Sequence, residues 1–150
     1  MKIRTLVCAA ILVPAMAAMA PSWAAESGTA EQAKAMLEKA VAEVKADEAQ
    51  ALEKFNAAEG DYKMADLYVF CADAKSGEMT AHPTLMGKNV NTIVDVNGKK
   101  LGEEMATTAK EGTIAEIDYM WPRPGTTEPV EKHSYYTIAG AQLCGVGFYP

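Results

Sequence analysis

The sequence predicts an α+β domain in which a long N-terminal helix is set against an antiparallel sheet. Three observations carry that expectation. Residues 29–57 are Ala-rich and repeat apolar side chains at helical spacing. After Gly60 the pattern changes to short apolar runs divided by turn residues, the grammar of an antiparallel sheet. Near the C-terminal end, Asp118-Tyr119-Met120-Trp121-Pro122-Arg123-Pro124-Gly125 closes a strand in aromatics. Each of its prolines removes an N–H donor and fixes φ, so no ladder is expected to run on through Pro122.

The N-terminus reads as a processing signal. Lys2 and Arg4 give a positive start, residues 6–20 are almost wholly apolar, and Ser22-Trp23-Ala24 resembles a small-residue cleavage site before Ala25-Glu26. A membrane anchor would need about 20 apolar residues, and Pro14, Pro21 and the polar Glu26-Ser27-Gly28 argue against one. Residues 1–24 are therefore expected to be a cleaved signal peptide, taking Cys8 with them, and residues 25–150 a single domain. Removing the first 24 of 150 residues leaves 126, and with two cations and no acids gone the formal charge moves from −6 to −8. An acidic envelope without a basic stripe disfavours nucleic acid and anionic membranes as partners. An anionic ligand must then be held by a local cluster of cations.

Along the chain, Thr29-Ala30-Glu31-Gln32 has the form of a capping box. Met36, Leu37, Ala40, Val41, Val44, Ala51, Leu52 and Phe55 follow on one helical face. At 1.5 Å per residue, residues 29–57 make one helix of about 43 Å. The seam thins at Asp47 and Glu48 and no second heptad segment follows, so helix on sheet is favoured over a coiled coil. Residues 67–72 are apolar on both alternating faces, as in a central strand. Turn chemistry at 73–77 returns the chain as a second strand, 78–82, stopped by Pro83. Glycines and asparagines break up residues 84–112, leaving a short helix over 101–110. Strands at 113–121, 132–139 and 143–149 complete the sheet, with Gly140-Ala141-Gln142 as a tight turn.

The aromatic segment suits a pocket for a small anion. Strand alternation puts Tyr119 and Trp121 on one face and Met120 on the other. Aromatic rings can enclose a short carbon skeleton while the phenol supplies a directional hydrogen bond. Lys132, across the loop, is the cation expected to neutralise a carboxylate, with Arg123 at the rim. Catalytic and cofactor signatures are missing from the sequence. It has no Cys-x-x-Cys-His for haem, no zinc-ligand spacing, and no Ser or Cys with a suggested His–acid partner. Asp95-Val96-Asn97-Gly98 echoes the start of a calcium loop, but the later oxygen ligands do not follow, so it reads as a turn. Neither an enzyme nor a cofactor or metal site is expected. Cys71 and Cys144 remain after export, either paired or as small buried hydrophobes.

Taken in order, Tyr68-Val69-Phe70, Gly77, His82-Pro83, Leu85-Met86-Gly87-Lys88-Asn89 and Asp95-Val96-Asn97-Gly98-Lys99 form a pattern. It continues through Gly112, Tyr119 to Pro124, Lys132, Tyr135-Tyr136 and Gly145-Val146-Gly147-Phe148-Tyr149. The chain resembles a type 2 single Cache domain, the PAS-like extracellular sensor module of bacterial chemoreceptors and histidine kinases. The resemblance implies a five-stranded antiparallel sheet of order 2-1-5-4-3 with the long helix behind it. The pocket would lie on the opposite face, under the inserted segment. It makes the first and last strands neighbours, so that Cys71 and Cys144 become a disulfide to test. It adds His82, Met86 with Leu85 as a lid, and one of Tyr135 and Tyr136, with Tyr136 the choice, to the expected ligand-binding set. A neutral His82 would donate to a carboxylate and titrate near pH 6.5.

Family members bind small carboxylates, so the expected ligand is a two- to four-carbon organic acid. The family normally sits between transmembrane helices, whereas this chain ends at Pro150 without an anchor or output module. The expectation is a stand-alone periplasmic or secreted binding domain that acts with a membrane receptor, kinase or transporter. Its long helix would offer a homodimer surface. The rival reading is a scaffold that has kept the fold and lost its ligand.

Overall fold

The computed structural model describes residues 27–150, so the expected signal segment and Cys8 lie outside the described residues. Helix α1 spans Ala30–Ala46. The Thr29 hydroxyl accepts the Gln32 N–H at 3.2 Å and the Gln32 side chain accepts the Thr29 N–H at 2.9 Å, which completes the expected capping box. Ala33, Met36, Leu37, Ala40 and Val44 form its buried stripe. The expected single helix is broken at Asp47, where φ is −157° and ψ 98°. The Asp47 carboxylate accepts the Gln50 N–H and caps a second helix, α2, over Glu48–Ala57. The break also presents Glu48 to the sheet, where it accepts from the Gln142 amide at 2.8 Å and the Ala141 N–H at 3.3 Å.

The strands are β1 (Lys63–Met64), β2 (Leu67–Asp73), β3 (Met79–Ala81), β4 (Ala115–Pro122), β5 (Pro129–Ala139) and β6 (Gln142–Phe148), with helix α3 at Leu101–Thr108 before β4. The sheet order is β1-β2-β6-β5-β4, and β3 also pairs with β2. All pairings between these strands are antiparallel. The five expected strands keep the order 2-1-5-4-3, and the correction is one added short strand, β1, which precedes the central one. Pro122 is the last residue of β4 and stands opposite Pro129, so the ladder reaches that proline and stops there. Because β4 is an edge strand, the missing N–H costs no interior hydrogen bond.

Side-chain alternation divides the core. Leu67, Val69, Cys71, Ala139, Cys144 and Val146 pack under the helices with Leu37 and Phe55. Tyr68, Phe70, Ile117, Tyr119, Tyr136 and Leu143 face the other way, toward α3 and the segment before it. Cys71 and Cys144 are register partners on β2 and β6 and form a disulfide, with a Cα–Cα distance of 4.1 Å. The bridge closes a separation of 73 residues in the unfolded chain, worth about 4 kcal/mol in the chain-entropy model. Replacing both cysteines by alanine should lower the stability by about 2–4 kcal/mol in urea denaturation without reductant. An unchanged midpoint and slope would contradict the role given to the bridge.

Candidate functional site

On the face away from α1, a cavity of about 30 Å³ for the centre of a water-sized sphere lies between the sheet and the inserted segment. Its floor is Tyr68 and Phe70 of β2 with Tyr119 and Trp121 of β4. Its roof is apolar, from Leu85, Val90, Ile93, Leu101 and Met105. The roof is built by close backbone approach, since a Cβ on Gly102 would fall 1.8 Å from the Val90 carbonyl oxygen. Asp95 fastens it to the sheet edge. One carboxylate oxygen accepts the N–H groups of Asn97 and Lys99 at 2.8 Å, and the other accepts the Met120 N–H at 3.1 Å. These bonds, the one from Met120 first, hold the Asp95 carboxyl below the usual carboxylate range. The segment is thus the turn the sequence predicts.

Lys132 is fully buried, on the cavity side of β5. Its stem lies across β6, where a Cβ on Gly147 would come within 2.3 Å of the Lys132 Cε. The missing side chain lets the ammonium reach β2, where it donates to the Tyr68 hydroxyl oxygen at 2.9 Å. It also lies 4.3 Å and 4.9 Å from the ring centroids of Tyr68 and Tyr149. Among the described residues no carboxylate forms an ion pair with it. Burial lowers its pKa from the ordinary 10.5 to about 7, against the more distant Asp66, which works to raise it.

Tyr68 stands between this cation and the cavity. Burial first, then the Tyr119 and Tyr149 phenol groups, raise its pKa far above the ordinary value, against a hydrogen bond with Trp121 that works to lower it, so it keeps its proton. Its oxygen accepts from Lys132, and among the described residues nothing accepts its hydrogen. His82 also lines the cavity, edge-on to Tyr68 at 5.3 Å. Its Nδ1 accepts the N–H groups of Thr84 and Leu85 at 3.0 and 3.1 Å, which puts the ring proton on Nε2. Burial and then the Lys132 charge lower its pKa from 6.5 to about 4, so the expected titration near pH 6.5 is corrected. Tyr119 is buried, hydrogen-bonded to Ser134 at 2.9 Å and raised to about 12 by burial.

The remaining predicted site residues are placed elsewhere. Arg123 is engaged by Asp66 at 2.5 Å and by the Ser27 hydroxyl at 3.1 Å, and lies over the Tyr149 ring at 4.5 Å. It does not line the cavity under the insert. Met86 is 52% exposed, and Leu85 alone of the expected lid pair turns inward. Tyr136 is buried on the cavity side, but its hydroxyl meets Thr108 at 2.7 Å rather than the cavity. Tyr68 is the site residue that strand reasoning missed. Its signal was parity with Phe70 on the first strand, together with the glycines that let a lysine cross β6.

The profile of the single Cache domain 2 family matches residues 10–139. The chain is a member of this family. Solved structures of similar fold are chemotaxis sensors. A methyl-accepting chemotaxis protein from Vibrio parahaemolyticus aligns with a TM-score of 0.64 at 22% identity, over 79% of this chain and 86% of that one. A periplasmic sensor domain of a chemotaxis protein gives 0.59 at 30% identity, over 79% and 88%. A Cache chemosensory domain described for carboxylic acid recognition gives 0.60 at 27% identity, over 79% and 86%. In sequence, 58 residues are 34% identical to the methyl-accepting chemotaxis protein McpP of Pseudomonas putida. The match spans 39% of this chain and 11% of that much longer protein. The domain is thus a sensor-type ligand-binding module by family. No helix among the described residues is long and apolar enough to cross a membrane.

Two outcomes follow for this Cache domain. The unfolded lysine holds its proton up to about pH 10.5 and the folded one only to about pH 7. Unfolding therefore takes up a proton between those values, and stability rises with pH across that window. Lys132→Met should be more stable than the parent at pH 7 and lose that rise, as chemical denaturation at pH 7 and 10 would register. A parent stability that falls from pH 7 to 10, with no difference in the variant, would contradict it. Gly147→Ala should cost about 1–3 kcal/mol, because its Cβ collides with the Lys132 stem and the Ser134 Oγ.

Proposed function

We propose that this Cache domain is an exported, non-catalytic receptor module for a two- or three-carbon carboxylate. The observation that carries the reading is Lys132, a buried ammonium without a carboxylate partner among the described residues, set behind the Tyr68 hydroxyl at a small cavity. A ligand anion supplies the missing charge. In this reading Tyr68 O–H and His82 Nε2–H donate to the carboxylate, Lys132 supplies the charge, and Trp121, Phe70 and Leu85 enclose the carbons. The cavity's measure corresponds to two or three water positions, which favours the short end of the two- to four-carbon range. The structural neighbour described for carboxylic acid recognition supports the same ligand class. Residues 1–24 act as the export signal, which makes residues 25–150 a periplasmic or secreted domain. The chemotaxis relatives favour a membrane signalling partner over a transporter. A scaffold without ligand requires a filled pocket, and the open cavity beside an unpaired ammonium favours binding.

Isothermal titration with acetate, propionate, pyruvate and butyrate tests the reading. A four-heavy-atom acid can gain about 6 kcal/mol at most, so an acetate dissociation constant of tens of micromolar or weaker is expected. Lys132→Met should abolish binding while the fold persists. Binding above pH 7 should take up a proton, so the apparent enthalpy will vary with the buffer's ionisation enthalpy. Folded protein that binds none of these acids, or an unaffected Lys132→Met variant, would overturn the carboxylate assignment.

A further inference from the structure

The cavity under the insert adjoins a second space. A groove of about 260 Å³ runs between Pro83-Thr84 and the Pro122–Thr126 loop, with Lys63 on its wall. Tyr68, His82 and Trp121 line both spaces, so these three rings form the partition between them. Two of the rings are anchored to groups outside the partition. Tyr68 is bonded to Lys132, and His82 accepts two backbone N–H groups. Trp121 is different, because its hydrogen bond is made to Tyr68, inside the partition itself. It is half-buried at the end of edge strand β4, one residue before the chain leaves the sheet, and its ring contact is an edge-on one with Tyr119 at 6.1 Å. It is also the largest of the three side chains.

The groove suits an alkyl chain, since Pro83, Pro122 and Pro124 line it beside the three rings. Of the cations that line it, Arg123 is already paired with Asp66, and Lys63 stands on the wall. The groove's size is nearly an order of magnitude above that of the inner cavity. A straight-chain acid with its carboxylate at Tyr68 and His82 would have to pass its carbons through the position of the Trp121 indole to use that space.

We propose that Trp121 is the specificity-determining residue of this sensor, closing the inner cavity from the groove and so limiting its ligands to two or three carbons. The inference rests on the carboxylate reading above. A smaller residue at 121 joins the two spaces and admits longer straight-chain monocarboxylates.

The test is titration of wild type, Trp121→Phe, Trp121→Leu and Trp121→Ala with acetate, propionate, butyrate and hexanoate. Circular dichroism and a thermal melt check the fold of each variant. Wild type should bind acetate or propionate at least about tenfold more tightly than hexanoate. In the Leu and Ala variants acetate should weaken with the lost indole contact, while hexanoate should gain on acetate by about fourfold for each methylene that enters the groove. Trp121→Phe should fall between, and it decides the matter if the smaller variants do not fold. Wild type binding hexanoate as tightly as propionate, or folded variants keeping the wild-type length profile, overturns the proposal. Wild type binding no acid at all overturns the carboxylate reading instead, and the gate falls with it.

Discussion

The structure on the ligand side of the sheet is arranged around one constraint, the burial of the Lys132 ammonium. Removing a lysine from water costs several kcal/mol unless the charge is met. Here it is met in part, by one hydroxyl and two aromatic faces. Access depends on β6, where Gly147 leaves the lane that the lysine stem occupies and Gly145 makes room for the Phe70 ring. Substituting a neighbour of Lys132 therefore alters the placement of the charge before it alters any ligand contact. An enclosed cation of this kind destabilises the empty domain and favours whatever brings a negative charge to it.

The two faces of the sheet divide the work. The helix side is apolar and cross-linked, with α1 and α2 lying over strands joined by the Cys71–Cys144 bridge. The opposite side is a roofed space whose roof hangs from Asp95 and the Gly102 contact. Asp66 ties the segment before α1 to the loop after β4. It accepts the Gly28 N–H at 2.7 Å, just before α1, and holds Arg123 in the loop after β4. Arg123 is thereby a fastening for the loop that follows Trp121, and the wall of the groove inherits its position from that ion pair.

Helices and strands were legible because their signals are local. Periodicity marked the helical stripe, the capping box marked its start, and two-sided apolar runs marked β2. The break at Asp47 was less so. A thin seam was visible there, but the cap competes with helix continuation only once Glu48 can reach the β5–β6 turn. In the site, strand parity placed Tyr119 and Trp121 on the cavity side. It could not place Tyr68 as the group bonded to Lys132, because that contact crosses a strand distant in sequence. Exposure misled for Met86, which the Leu85–Lys88 turn directs outward. Arg123 looked like a free cation because its partner, Asp66, lies 57 residues earlier. The His82 titration range was misjudged because its burial and the nearby Lys132 charge come from distant strands and cannot be read from residue type.

A crystal structure of the domain with its tightest-binding short acid tests the central claim most directly. One carboxylate oxygen should lie within hydrogen-bond distance of the Tyr68 hydroxyl, on the side where Lys132 supplies the charge. The carbons should lie against Trp121 beneath Leu85. A carboxylate seated instead in the outer groove on Lys63 or Arg123, with the inner cavity holding only water, would contradict it.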